Sequence, residues 1–292
     1  MKVGFIGVGN MGGPMCRNII RNTNHDVVVF DLNPAAIKAC TDLGASAGTS
    51  VQQVAADCDV VFTSLPMPRN VEEVAAGIAA SAQPGTVYID LSTNSPATAR
   101  RVNELMRGKG IQMLEAPVSG GVPRATDGTI VIMAGGDTAV FDAQLPLLKS
   151  FSGEVVHVGE IGMGSVAKLV NNMLAFCNAA AAAEALMIGT MAGIDLRKLQ
   201  QVISNASGNS SAFRNISDKA FKREFAATFA LDLAHKDLRL ALELADELGV
   251  PGMIAPQVMN LMRIARAKGM GGDDSSSVIR VYEQALGREV RA

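Results

Sequence analysis

Through the first 160 residues, short β-branched runs take turns with amphipathic stretches, and then the strand signal stops. KVGFIG (2–7), DVVVFD (26–31), DVVFTSL (59–65), TVYID (86–90) and IQMLEA (111–116) read as strands. Helical stretches near 12–22, 34–43, 69–82 and 96–109 separate them, and TIVIMAGG (129–136) and EVVHVG (154–159) extend the series. Such alternation predicts an α/β architecture, a doubly wound parallel sheet covered by helices on both faces. Beyond GEIGMGS (159–165) everything reads helical, with breaks at Gly193, SGNSS (207–211), GVPG (249–252) and GMGGDD (269–274). The expected division is an α/β domain over 1–162 and an all-α domain over 163–292, with 163–192 forming a long interdomain helix. Clefts between domains are common binding sites.

A chain of 292 residues that is 48% hydrophobic and 18% charged has enough apolar material for two ordinary cores. A net charge of −2 gives no sign of nucleic acid or an anionic membrane as partner. Cys16, Cys40, Cys58 and Cys177 are scattered, and His25, His157 and His235 are the only histidines. Neither a metal cluster nor a disulfide framework is expected, and a reducing, cytoplasmic setting fits. The chain opens on MKVGFIG, already strand-like, so no signal or transit peptide is expected ahead of the fold. Asn178 and Glu184 interrupt the apolar stretch 173–194 and no basic flanks bracket it, which predicts a buried core helix and not a membrane span.

GFIGVGNMGGPM carries G-x-G-x-x-G at Gly7, Gly9 and Gly12, between a strand and a helix. The first glycine permits the tight turn, the second admits a pyrophosphate to the backbone, and the third lets helix and strand pack. The loop Gly7, Gly9, Asn10, Met11 and Gly12, with helix amides behind it, predicts a Rossmann-like dinucleotide site. Asp31 ends the second strand, where a carboxylate would accept hydrogen bonds from an adenosine ribose and repel a 2′-phosphate. FDLNP holds no arginine to receive such a phosphate, so NAD is favoured over NADP; a solvated turn aspartate is the competing reading. Leu65, Pro66 and Thr93 fall at the carboxyl edge of the sheet, where cofactors lie.

GSVAKLVNN (164–172) places a lysine in an apolar run. Lys168 and Asn172 are spaced i, i+4 and share a helix face, while Asn171 points away by about 100°. Burying an unpaired ammonium is costly, so this face is expected to open on a cleft. Lys168 is expected in the first turn of its helix, where the positive dipole end disfavours the charged amine. An amine so placed can take a proton from an alcohol; a lysine snorkelling from a buried helix is the alternative. In EAPVSGGVPRATDGT (115–129), Ser119, Gly120 and Gly121 offer a hydroxyl and closely spaced amides that suit a carboxylate, or form a plain glycine turn. HKDLRLAL (235–242) puts Lys236 on a helix of the second domain, from which a cation could close over the cleft or remain solvated.

These four segments together resemble the β-hydroxyacid dehydrogenase family over almost the whole chain. GFIGVGNMGGPM is similar to its cofactor signature, EAPVSGG to its substrate signature, GMGSVAKLVNNML to its catalytic signature and HKDL to its C-terminal motif. The resemblance implies that Lys168 is catalytic with help from Asn172, and that Ser119, Gly120 and Gly121 bind the substrate carboxylate. It implies that Leu65, Pro66, Asn70, Thr93 and Lys236 line the cofactor site, and that the all-α domain mediates a homodimer or homotetramer. Glu115 departs from the family, which usually has aspartate before A-P-V-S-G-G; the change is expected to be mild. NNML resembles the 3-hydroxyisobutyrate branch, whereas GGVPRATDGT resembles the tartronate semialdehyde branch, and NASGNSSAFRN (205–215) lacks the tryptophan expected of a near hydroxyisobutyrate homologue. The expected reaction is NAD-dependent oxidation of 3-hydroxyisobutyrate to methylmalonate semialdehyde, as in valine degradation. The alternatives are an NADPH-dependent reductase of tartronate, succinic semialdehyde or glyoxylate substrates, and a nucleotide-sensing module without catalysis.

Overall fold

The computed structural model describes residues 1–292, which fall into two compact units, Met1–Lys168 and Leu169–Ala292. In the first unit, strands β1 (Lys2–Ile6), β2 (Asp26–Phe30), β3 (Ser46–Ala47), β4 (Val60–Thr63), β5 (Val87–Asp90) and β6 (Gln112–Glu115) all pair in parallel, in the order β3-β2-β1-β4-β5-β6. Helices α1 (Gly12–Asn22), α2 (Pro34–Thr41), α3 (Val51–Asp57), α4 (Pro68–Ser81) and α5 (Pro96–Arg107) supply the crossovers. Successive strand residues serve opposite cores: Val27 and Val29 join Phe5 and Phe62 on one face, while Val28 joins Val61 and Tyr88 on the other. A strand buried on both faces needs a continuous apolar run, which is why DVVVF and VVF do not alternate with polar residues.

One part of the expected sheet is not parallel. After β6 come β7 (Val118–Ser119), the short helix α6 (Gly121–Thr126) and β8 (Ile130–Gly136), and β8 runs antiparallel to both β6 and β7. Only α6 separates β7 from β8, too short a link for a parallel crossover, so the chain must return antiparallel. Helix α7 (Thr138–Lys149) then leads to β9 (Ser152–Gly159), which pairs in parallel with β8.

Helix α8 (Met163–Ala192) runs across the division between the units. By length and composition it could cross a membrane, and only 33% of its apolar window is buried, so it is less of a core helix than its sequence suggests. Ala180, Ala183, Leu186 and Met187 are covered, but Val170, Leu174, Ile188 and Met191 each remain more than half exposed. The second unit continues with α9 (Leu196–Ser204), α10 (Ser211–Lys222), α11 (Leu231–Glu247), α12 (Ala255–Ala267) and α13 (Ile279–Leu286) around a core of Phe176, Phe213, Ile216, Leu231, Leu238 and Met262. Asp274 ties this unit together. Its carboxylate accepts hydrogen bonds from Thr228 N and Oγ1, Phe229 N, and Ser276 N and Oγ, and pairs with Lys219 Nζ at 2.6 Å.

Candidate active site

Gly7 has φ +88°, and a methyl on it would collide with the Ser64 carbonyl oxygen. A methyl on Gly12 would overlap the Gly7 carbonyl oxygen, so these two glycines are demanded by the turn and by close helix packing. Gly9 differs: nothing lies within 4 Å of where its Cβ would be. That open space beside the backbone is what a pyrophosphate needs. Within the first unit, α2, α3, α5 and α7 are capped by the side chains of Asn33, Ser50, Ser95 and Asp137. Helices α1 and α4, which follow the glycine loop and the Leu65–Pro66 segment, have no side-chain cap; Gly13 N turns back to Gly9 O at 2.8 Å and Asn70 N to Met67 O at 2.9 Å.

Asp31 anchors the loop. Its Oδ2 accepts from Val8 N at 2.8 Å and its Oδ1 from Asn33 N at 2.8 Å, which fixes the carboxylate beside the glycine turn with further lone pairs to spare. Asn10 is exposed and Met11 half-buried at the start of α1. Leu65 N donates to Ser92 Oγ at 2.9 Å, joining the ends of β4 and β5, with Asn70 half-buried in the first turn of α4. Beneath half-buried Thr93, Asp90 accepts from Thr63 Oγ1, Ser92 N and Asn94 Nδ2 at 2.7–3.1 Å. Burial, with the Asp90 charge, pushes the Tyr88 phenol upward, so Tyr88 stays a neutral partner of Thr63. Glycine space, helix starts without side-chain caps and a fixed carboxylate together fit a dinucleotide.

Ser119 ends β7, and Gly120 and Gly121 follow with φ +138° and +68°. The backbone itself therefore requires both glycines. A methyl on Gly120 would meet the Arg124 side chain at 2.8–2.9 Å, so that side chain lies across the turn. Asn18 of α1 donates to Ala125 O at 2.9 Å and ties α6 to the nucleotide helix. Sequence reading passed over Asn18, because an amide in a helix has no local signature.

Lys168 is 8% exposed. It is the sixth residue of α8 and so stands in the second turn, not the first. The helix starts at Met163 as expected, and counting from there puts Lys168 past the first turn. The start is held by Glu115, whose buried carboxyl accepts from Gly162 N, from Gly164 N at 2.9 Å, from Ser165 N at 3.2 Å and from Ser165 Oγ at 2.5 Å. A carboxyl at this end also opposes the helix dipole that was expected to act on the lysine. Burial pushes the Glu115 carboxyl above its ordinary value, and the four donors pull it partly back.

In the second unit, Asn172 donates from Nδ2 to Asp237 Oδ2 at 2.7 Å, and Asn171 Nδ2 donates to Asn172 Oδ1 at 3.1 Å. Lys236, 6% exposed on α11, pairs with Asp237 Oδ1 at 3.0 Å. One buried aspartate thus joins two residues that were singled out separately. The HKDL segment contained it, but nothing local distinguished it from a solvated acid.

A parallel sheet with a glycine turn at its first β-α junction, a fixed Asp31 and a buried lysine defines an NAD-binding oxidoreductase fold. Residues 2–159 match the NAD binding domain of 6-phosphogluconate dehydrogenase, and residues 162–282 match the NAD-binding region of NADP-dependent 3-hydroxyisobutyrate dehydrogenase. The chain is 40% identical to 2-(hydroxymethyl)glutarate dehydrogenase of Eubacterium barkeri, over 99% of this chain and 97% of the relative. It is 36% identical to 3-hydroxyisobutyrate dehydrogenase of Pseudomonas aeruginosa, over 96% and 98%. The solved structure of Mycobacterium tuberculosis 3-hydroxyisobutyrate dehydrogenase with L-serine superposes with a TM-score of 0.87 at 32% identity, covering 96% of this chain and 98% of that one. The chain belongs to the β-hydroxyacid dehydrogenase family, and is a dehydrogenase of the 3-hydroxyisobutyrate dehydrogenase type.

Proposed function

We propose that the protein catalyses reversible oxidation of a β-hydroxy acid, with 3-hydroxyisobutyrate as substrate, methylmalonate semialdehyde as product and NAD in preference to NADP. Bound NAD supplies the hydride acceptor. Lys168 takes the hydroxyl proton at Nζ and returns it to the alkoxide in the reverse direction. Ser119, Gly120 and Gly121 hold the carboxylate, which orients the reacting carbon. By resemblance to the family, Asn172, which donates to Asp237, is assigned to assist catalysis and Lys236 to bind the cofactor. The observation that carries this reading is a buried lysine on a helix whose first amides are bound to Glu115, the residue that ends the strand before the Ser119 turn. Asp31 supports NAD, since a carboxylate after the second strand, held by Val8 N and Asn33 N, would repel a 2′-phosphate.

A second substrate class is favoured by Arg124, which crosses Gly120 and reaches Thr129 Oγ1 at 3.5 Å. It suits a hydroxy acid with a second carboxylate, as the relative's name, 2-(hydroxymethyl)glutarate dehydrogenase, describes. Spectrophotometric turnover of 3-hydroxyisobutyrate, 2-(hydroxymethyl)glutarate and glycerate with NAD and with NADP separates these cases. The expected result is the highest kcat/KM for 3-hydroxyisobutyrate with NAD. Faster reduction of succinic semialdehyde or glyoxylate with NADPH assigns the protein to the reductase class, and binding without turnover assigns it to nucleotide sensing.

The exposed Val170, Leu174, Ile188 and Met191 fall within about 100° of one another around α8, an apolar strip that supports a homo-oligomer. Sedimentation velocity is expected to show a dimer or tetramer, and a monomer at micromolar concentration overturns that assignment.

A further inference from the structure

We infer that Glu115 is a positioning residue, whose buried carboxyl locks the helix carrying Lys168 to the strand leading into the Ser119 turn and so sets the reach of the Lys168 amine toward a substrate held there. The inference rests on the reading of Lys168 as proton acceptor. Four donors converge on the two carboxyl oxygens: Gly162 N and Gly164 N on Oε1, Ser165 N and Oγ on Oε2. No other helix of the first unit has its first amides bound by a side chain so distant in sequence, 47–50 positions away; α2, α3, α5 and α7 use adjacent caps. Glu115 is itself buried and part of the sheet. It pairs with Gly135 on β8, and four residues on, Ser119 pairs with Val131 of the same strand. The carboxylate-binding turn and the start of α8 are thus referred to one rigid strand.

The surroundings are shaped for this contact. A methyl on Gly135 would meet Glu115 Oε1 at 2.6 Å, and one on Gly164 would meet the Met133 carbonyl oxygen at 2.6 Å and Glu115 Cγ at 3.1 Å. Gly162 has φ +104°, which turns its amide into the cluster. Arg100 lies against Gly162 on the outer side, its guanidinium 3.0 Å from where a methyl would be. Three glycines, each with a separate steric reason, therefore bring α8 onto one carboxyl. A helix held by three amides and a hydroxyl at its first turn delivers a side chain of its second turn with little freedom, and misplacement by about 1 Å can cost about 10²-fold in rate.

The test compares Glu115→Gln and Glu115→Asp with the wild-type chain, and Lys168→Ala as control. Glutamine keeps the shape but turns an NH2 toward two of the four donors. Its kcat is expected to fall about 10- to 100-fold, with KM for the hydroxy acid and the Kd for NADH, read by fluorescence, within about threefold. Aspartate keeps both acceptor oxygens on a shorter stem and is expected to restore most of that loss. Each assay is run at a temperature where circular dichroism shows the variant folded. The inference is overturned if Glu115→Gln turns over within about threefold of wild type, if Glu115→Asp is equally slow, or if NADH affinity falls together with kcat. Should Glu115→Gln be insoluble, Ser165→Ala, which deletes one donor, is expected to lower kcat about threefold or more, and an unchanged kcat overturns the inference. An active Lys168→Ala sinks the reading of the base itself, whereas an inactive Lys168→Ala beside a normal Glu115→Gln sinks only the role of Glu115.

Discussion

Lys168→Ala is expected to lower kcat by about 10³-fold or more while leaving NADH affinity within about twofold of wild type. The amine is the only group here assigned to move the substrate proton, and its loss cannot be made good by Asn172, a carboxamide that neither accepts nor releases a proton near neutral pH. Lys168→Arg is expected to fail almost as badly. A guanidinium remains protonated at any working pH and so cannot accept the hydroxyl proton. Stopped-flow measurement of NADH formation distinguishes a slow chemical step from slow product release. A variant lacking the amine that still forms NADH at the wild-type rate removes Lys168 from the chemistry.

The second large effect is on stability. Asp274→Ala is expected to destabilise the helical unit by about 3 kcal/mol, and so to lower its thermal midpoint by about 10 °C in a circular dichroism melt. Asp274 is 1% exposed, and its removal leaves the Thr228 and Phe229 amides, the Ser276 donors and Lys219 without their common acceptor. Burial alone would raise this carboxyl, yet Lys219, Thr228 and Ser276 together bring it down from 3.8 to about 2. A group depressed in the folded state stabilises fully above its unfolded value and progressively less below it. The contribution of Asp274 to stability is therefore expected to be flat above pH 5 and to fall by about 2 kcal/mol as pH drops from 3.8 toward 2. Asp274→Asn is expected to flatten that acid limb while lowering stability at neutral pH. An acid limb unchanged in Asp274→Asn assigns the loss to other carboxyls.

The layout of the first unit was legible because strand and helix periods are local. Every expected strand lies over an observed one, and α1 begins at Gly12 as the glycine pattern predicts. Two short strands, β3 and β7, escaped notice because two residues cannot display a period, and helices α3, α6 and α7 were not expected either. The antiparallel direction of β8 escaped for another reason: a strand's pattern of burial is the same whichever way it runs, and only the short link through α6 forces its direction. The apolar run after Lys168 pointed to a core helix, but hydrophobicity along a chain does not say which face is covered, and one strip of α8 stays exposed.

The amino-acid sequence by itself determined the order of the longer strands, the glycine turn, the place of Asp31 and the i, i+4 spacing of Lys168 and Asn172. All of these follow from backbone sterics and helical geometry over a few neighbouring residues. Tertiary structure alone decided that Glu115 holds the first turn of α8 and that Asp237 receives Asn172, contacts spanning 47–50 and 65 positions. A buried carboxyl goes wherever packing leaves donors in need of it, and no local pattern along the chain encodes where those donors will gather.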